Sequence, residues 1–259
     1  ESLEIKDFEL ELKDNTKIIY IESPSNPLLQ VIDLKKIADF AKTNNLISII
    51  DNTFASPINQ TPIDFGIDIV LHSATKYLGG HSDILAGVLA SSFSNIKKIT
   101  ESSINYGANL SEYTVWLLER SIKTLSLRVK AQNENAQKLA EFLNCNDNVD
   151  LVLYPGLKTH PQYELSKNQM KGFGGMLSFV LKNENKAADF TRFLKIIKPV
   201  MSLGGVESTI TSPSLTSHSK LSKEQRNKYG ISDGLLRFSV GIEDYDDLES
   251  DLTQAFKSL

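Results

Sequence analysis

The stretch TKIIYIESPSNPLLQVIDLKKIADFAKTNNLISIIDNT, residues 16–53, decides the fold. Its first run, TKIIYIE (16–22), is short, β-branched and aromatic, and reads as a buried strand. Ser23-Pro24-Ser25-Asn26-Pro27 must turn, because two prolines in five residues exclude regular pairing. Asp33 then caps a helix running through LKKIADFAKTNN, with Leu34, Ile37, Ala38 and Ala41 on one face. LISII (46–50) is a second strand, apolar on both faces, as strands buried between helices are. Strand, helix, strand is a βαβ unit with a right-handed crossover. A third strand, IDIVL (67–71), extends it, and the region is α/β.

Outward from this unit, Ser111 to Leu143 reads as two successive helices broken near Leu125-Ser126. Strands are expected at 150–154, 176–182, 199–203 and 235–240, alternating with helices near 185–196 and 244–257. A boundary near residue 143 divides the chain into 1–143 and a smaller α+β domain over 144–259. With 41% hydrophobic and 23% charged residues, the 259-residue chain has the composition of a folded, soluble protein. The net charge is −4 and the basic residues are scattered, which argues against a nucleic-acid partner. No apolar run approaches bilayer length and no signal-peptide pattern opens the chain, so no membrane partner is expected. A single cysteine, Cys145, forbids an intrachain disulfide, and a cytoplasmic location is the default expectation.

In open parallel sheets, ligands bind just beyond the carboxyl ends of the strands. Three polar clusters fall there: Asp51-Asn52-Thr53, His72-Ser73-Ala74-Thr75-Lys76, and the Ser-Pro-Ser-Asn-Pro turn. A lysine pressed against apolar surroundings loses its proton more readily and becomes a nucleophile able to form Schiff bases with aldehydes. Ser73 and Thr75 can donate hydrogen bonds to a phosphate, and a buried Asp51 can hold a proton on a heterocyclic nitrogen. Aldehyde anchor, phosphate cradle and pyridinium partner are what pyridoxal 5'-phosphate (PLP) requires. Taken singly, each residue has a plainer reading: a solvated loop lysine, a turn aspartate, a capping pair. Their joint placement favours the cofactor. Arg237, inside the apolar strand LLRFSV, needs a bidentate carboxylate or an internal salt bridge, since an unpaired buried guanidinium is costly.

The stretches ESPSNP (22–27), IIDNTF (49–54), HSATKYLGGHSDILAG (72–87), YPGL (154–157), GFGGMLSF (172–179), SLGGVES (202–208) and LLRFSVGIED (235–244) resemble the trans-sulfuration enzymes. That PLP-dependent family includes cystathionine γ-synthase, the cystathionine β- and γ-lyases and methionine γ-lyase. The resemblance covers nearly the whole chain and implies a fold-type I PLP enzyme, with 1–143 the remnant of its large domain. It implies Lys76 as the Schiff-base and proton-moving residue and Asp51 as the partner of the pyridine nitrogen. Ser73 and Thr75 would hold the phosphate, and Asn26 would stand near the ring oxygen and the substrate carboxylate. Arg237 would bind the substrate α-carboxylate with Ser202 beside it, and Glu207 resembles the cystathionine-handling members. Leu203 sits where many bacterial β-lyases carry tryptophan, so a cystathionine γ-lyase or γ-synthase is favoured over a β-lyase. The resemblance further implies a small amino-acid substrate and a homo-oligomer, a tetramer built as a dimer of dimers.

Other candidates carry less. His72 and His81 flank the lysine loop, but no metal-ligand spacing links them to His160 or His218, and no metal is expected. Trp116 and Tyr113 are expected in a helical core, and Cys145 is a bystander. Family members begin well before ESPSNP, with a phosphate-binding loop, a tyrosine that stacks on the cofactor, and groups reaching a neighbouring subunit. Nothing in residues 1–21 matches those parts, and the first residue is Glu1. The expectation is therefore a C-terminal portion, working with a missing N-terminal portion or standing as an inactive fragment. SPSLTSH (212–218) departs from the family's usual methionine before a threonine-histidine pair.

Overall fold

The computed structural model describes residues 4–259. It begins with helix α1 (Ile5–Glu11), strand β1 (Ile18–Glu22), α2 (Leu34–Thr43) and β2 (Ile47–Asp51). A single turn α3 (Ser56–Asn59), β3 (Ile69–Ser73), β4 (Gly87–Ser91) and helices α4 (Phe93–Tyr106), α5 (Glu112–Ile122) and α6 (Leu125–Asn144) follow. Then come β5 (Val149–Leu153), α7 (Tyr163–Gln169), β6 (Met176–Leu181), α8 (Ala187–Phe193) and β7 (Thr209–Thr211). The chain closes with α9 (Lys223–Lys228), β8 (Leu235–Ser239) and α10 (Tyr245–Lys257).

The first sheet has the order β1-β2-β3-β4, with β1, β2 and β3 parallel and β4 antiparallel at the edge. The βαβ unit forms as its residues dictate. The Asp33 carboxylate accepts the Lys36 N–H at 3.0 Å, satisfying an otherwise orphaned donor of the first turn. Leu34, Ile37, Ala38 and Ala41 of α2 pack on Ile19, Ile21, Ile50 and Val70. Because side chains alternate along a strand, Tyr20, Ile47 and Asp51 point to the opposite face.

The second sheet, β5-β6-β8-β7, is antiparallel throughout. Its core joins Val129, Leu139 and Leu143 of α6 to Phe179, Phe190, Phe238 and Leu252. The same cluster takes in Ala74, Tyr77 and Leu78, so the segment that follows β3 is clamped onto the second sheet. No helix of the described residues is long and apolar enough to cross a membrane.

Four expectations need correction. Strands β1 and β2, read as buried, leave Ile18, Tyr20 and Ile47 exposed on one face. Residues 199–203 are not a strand; Lys198 makes one isolated bridge to Thr209, and the ladder strand is Thr209–Thr211. Gly204, at φ +72°, turns the backbone out of extended geometry, and residues 202–206 fold over the lysine segment instead. The helix expected to reach 196 stops at Phe193, because the Asp251 carboxylate takes the N–H groups of Lys195, Ile196 and Ile197 at 2.9–3.0 Å. Trp116 and Tyr113 are exposed, 56% and 68%, rather than core, since α5 buries only Leu118 and Ser121. Strand β4 and helix α4 lay outside the sequence-based expectations; GVLAS is too short and unpatterned to declare itself.

His160 fastens a loop. Its Nδ1 accepts the Gln162 N–H at 3.2 Å, and burial pushes its pKa down to about 4 from 6.5. Between those two values the unfolded chain binds a proton that the folded chain refuses, so stability falls as pH drops from about 6.5 toward 4. The expected loss is on the order of 1–3 kcal/mol, read from urea midpoints against pH. His160→Gln should flatten that slope; an unchanged slope would show that the imidazole is not responsible.

Candidate active site

Strands β2 and β3 end side by side. Asp51 pairs in register with Leu71, so Asp51 and Ser73 project from the same sheet face at its carboxyl end. Asp51 Oδ1 accepts the Thr53 N–H at 2.9 Å, and Thr53 Oγ1 accepts the Ser73 N–H at 2.8 Å. These bonds join the two strand ends. The bend beyond β2 is locked by amides: Asn52 Nδ2 donates to Gln60 O at 3.0 Å, and Gln60 Nε2 donates to Ser23 O at 3.1 Å.

Lys76 sits in the tight turn after β3. Its N–H donates to Ser73 O at 3.0 Å, and its carbonyl accepts from Gly80 N–H at 2.7 Å. The side chain is half-buried. Its pKa lies below the ordinary lysine value, first because water is excluded and second because the Arg237 cation is near. Thr75, expected to hold a phosphate, is engaged inside the chain: its Oγ1 accepts from Ala86 N–H at 2.9 Å and donates to Ala86 O at 3.3 Å. Ser73 differs, in that its hydroxyl makes no hydrogen bond among the described residues.

Arg237, in the middle of β8, is 4% exposed. Its Nη1 donates to Asn26 Oδ1 at 3.1 Å and its Nη2 to Met201 O at 2.8 Å, while its buried Nε has no partner. No carboxylate of the described residues lies within 4.0 Å, so the salt-bridge alternative is not realised. Burial pushes the Arg237 pKa down; Tyr77 and Glu22 act against that. Asn26 is seated by its neighbour, since Ser178 Oγ donates to Pro27 O at 2.7 Å. Ser202 follows Met201, and its carbonyl accepts from Thr209 Oγ1 at 2.8 Å. The fold thus gathers Lys76, Arg237 and Asn26, with Ser202 at their margin. Glu207 stands apart, half-exposed and paired with Lys198 at 3.1 Å. His72 is buried beside Asp51: burial lowers its pKa and Asp51 opposes the shift. His81 Nδ1 lies 2.7 Å from Gly79 O and braces the same loop.

Arg128 escaped the sequence reading. It is 4% exposed, and its Nη groups donate to Tyr77 O at 2.7 Å, Leu78 O at 3.3 Å and Ser121 O at 2.9 Å. A Cβ at Gly80 would stand 2.0 Å from Arg128 Nη1, so the glycine makes room for the guanidinium beneath the lysine loop. The only sequence signal was an arginine on the apolar face of RVKAQ. Arg128→Met should cost about 3 kcal/mol, because it strands three buried carbonyls. A loss under about 1 kcal/mol in denaturant titration would show that the carbonyls find other partners.

The donor set fits PLP. Lys76 is a half-desolvated amine, Asp51 an acid at the strand end, Ser73 an unengaged hydroxyl on its face, and Arg237 an anion receptor with an unused buried N–H.

Comparison with known proteins agrees. The family model described as Cys/Met metabolism PLP-dependent enzyme matches residues 1–257. A cystathionine β-lyase of Lactococcus lactis subsp. cremoris (strain MG1363) is 47% identical over 254 residues, 98% of this chain and 67% of that protein. A cystathionine γ-lyase of Bacillus subtilis (strain 168) is 44% identical over 255 residues, again 98% of this chain and 67% of its own length. Among solved structures, a cystathionine γ-lyase from Lactobacillus plantarum complexed with L-serine superposes with a TM-score of 0.96. It is 42% identical and covers 99% of this chain and 68% of that one. The chain therefore spans about two thirds of the length of these relatives.

Proposed function

The chain belongs to the Cys/Met metabolism PLP-dependent enzymes, and from that premise we propose that it eliminates sulfur from cystathionine-like amino acids with Lys76 as the proton-moving base. One observation carries the reading: the half-buried Lys76 amine lies near a buried Arg237 that has no carboxylate partner among the described residues.

PLP, when bound, supplies an aldehyde that condenses with amines and a ring that accepts electrons from the α-carbon. The residues of this chain do the rest. Arg237 offers its unused N–H to the substrate α-carboxylate, and Asn26 holds that guanidinium in place. Lys76 Nζ, its proton loosened by its surroundings, takes the α-proton and returns protons to neighbouring carbons. Asp51 holds a proton on the ring nitrogen, and Ser73 donates to the phosphate. Whether the β- or the γ-carbon loses sulfur depends on which half of the substrate places its α-carboxylate at Arg237, since one half carries the sulfur on its β-carbon and the other on its γ-carbon. The β- and γ-lyases named above stand at 47% and 44% identity, and likeness alone does not separate them. Leu203 speaks against the β-lyases and Glu207 against methionine γ-lyase, which leaves γ-elimination as the first reading and γ-replacement on an activated homoserine as the second.

The chain further works as a homo-oligomer in this proposal. Ile18, Tyr20 and Ile47 are 51%, 56% and 43% exposed on the sheet face away from α2, where parallel sheets ordinarily carry cover. Exposed Phe93, Tyr106, Trp116 and Leu127 add to the open apolar surface. Sedimentation velocity should show a species heavier than the 28.8 kDa chain.

The functional test starts by adding PLP to the purified protein. A yellow product that borohydride fixes on Lys76 supports the reading; colour without attachment at 76 ends it. Incubation with cystathionine then assigns the bond. Cysteine plus 2-oxobutyrate marks γ-elimination, and homocysteine plus pyruvate marks β-elimination. Absence of both colour and keto acid would identify a non-catalytic chain.

A further inference from the structure

Residues 23–32 form a loop whose two ends meet. Ser23 Oγ accepts the Ile32 N–H at 3.2 Å, and inside the loop Ser25 Oγ accepts the Gln30 N–H at 3.2 Å. Asn26 lies between those ends, with its Oδ1 accepting from Arg237 Nη1 at 3.1 Å. Ser178 Oγ holds the loop beside Asn26, through Pro27 O at 2.7 Å. The ends are held from elsewhere.

Behind the loop runs a chain of three buried side-chain amides, Asn52 after β2, Gln60 after α3 and Gln169 at the end of α7. Gln169 Nε2 donates to Gln60 Oε1 at 3.0 Å, and Gln60 Nε2 donates to Asn52 Oδ1 at 2.8 Å. Asn52 Nδ2 ends the chain on Ser56 O at 3.3 Å and Gln60 O at 3.0 Å. At the other end Gln169 Oε1 accepts the N–H of Leu34, the first residue of α2, at 3.0 Å. The two N–H groups left over both reach the loop: Gln60 Nε2 donates to Ser23 O at 3.1 Å and Gln169 Nε2 to Ile32 O at 3.1 Å. Each amide thus engages both of its N–H groups and its oxygen. Turning one over would set N–H against N–H and oxygen against oxygen, so the chain admits a single arrangement. Apolar side chains would fill the same space and leave the carbonyls of both loop ends buried and unpaired.

We propose that Gln60 and Gln169 are positioning residues for substrate binding: they seat both ends of the 23–32 loop and, through Asn26, set the direction in which Arg237 presents its guanidinium to the α-carboxylate. The inference rests on the reading of Arg237 as the carboxylate anchor. Neither glutamine touches the substrate in this scheme. Their effect passes through the contact between Asn26 and Arg237, and small displacements of such a contact are costly.

The test is a double-mutant cycle on the full-length protein loaded with PLP, read by calorimetry as affinity for L-2-aminobutyrate, which has the α-amine and α-carboxylate but no sulfur. Gln169→Glu keeps an oxygen for the Leu34 N–H, where the start of a helix favours negative charge, and removes the donors to Ile32 O and Gln60 Oε1. It should weaken binding by about tenfold. Asn26→Ala should weaken it too, and the two changes together should bind no worse than Asn26→Ala alone, because the glutamine acts through that asparagine. A residue that merely supports the fold would give losses that multiply. Multiplying losses, or a Gln169→Glu protein that binds like the wild type, would overturn the proposal. Should Gln169→Glu fail to fold, Ser23→Ala, which removes only the Oγ tie to the Ile32 N–H, runs the same cycle with an expected loss of about threefold. Arg237→Met separates the two layers. If the wild type shows no affinity, or Arg237→Met leaves it intact, the anchor reading falls and this inference with it. If Arg237→Met abolishes binding while the cycle shows independent effects, only the role of the glutamines falls.

Discussion

Lys76→Ala protein should keep its fold but lose turnover by about 10²–10⁴-fold. The side chain is not part of the core; Tyr77 and Leu78 beside it are, and the loop is held through backbone carbonyls by Arg128. Removing the amine therefore removes chemistry and leaves structure. Thermal midpoints should stay within a few degrees, while keto-acid release vanishes and added small amines restore part of it. Lys76→Arg should not rescue, since a guanidinium keeps its proton at every accessible pH. The pH behaviour follows from the direction of the shift. The folded pKa of Lys76 lies below 10.5, so its neutral fraction rises at lower pH than that of solvated lysines. Competitive acylation across a pH series should label Lys76 before the exposed lysines. Labelling in step with them would contradict a desolvated amine. Arg237 is the second cause of the shift, so Arg237→Met should move the Lys76 curve back toward higher pH.

The other large effect belongs to Arg237 itself. Arg237→Met should weaken substrate binding by about 10²–10³-fold, the scale for removing one partner of a buried carboxylate pair. Stability should move the opposite way. The guanidinium is 4% exposed, and among the described residues it has no carboxylate within 4.0 Å and no partner for Nε, so it costs the fold more than methionine would. We expect the variant to equal or exceed the wild type in denaturant resistance, by up to about 2 kcal/mol. A variant that binds poorly because it unfolds would show both quantities falling together, and that outcome would make Arg237 a structural residue. Raised KM with little change in kcat would place the lost contact in uniform binding; loss in both would place it at the reacting geometry.

Much of this was legible in the residues alone, wherever the physics is short-range. The Asp33 cap, the period of α2, the prolines of residues 23–27 and the apolar runs of β1, β2 and β3 each act within a few residues. Asp51, Ser73 and Lys76 follow directly on those runs, so the end of each strand placed them. The 199–203 segment misled because its apolar letters look like a strand, while Gly204 and the lysine loop it covers decide otherwise.

What tertiary structure alone decided lies between distant parts of the chain. Arg237 meets Asn26 across 211 residues, and no local pattern announces that contact. Arg128 reaches Tyr77 O across 51, which turned an ordinary helix arginine into the brace of the lysine loop. Thr75 spends its hydroxyl on Ala86, and Lys228, unlike Lys223 and Arg226, has no carboxylate within 4.0 Å among the described residues. Local propensity acts through the backbone and its nearest turns; charge balance and hydrogen-bond satisfaction are set by whatever the fold brings alongside.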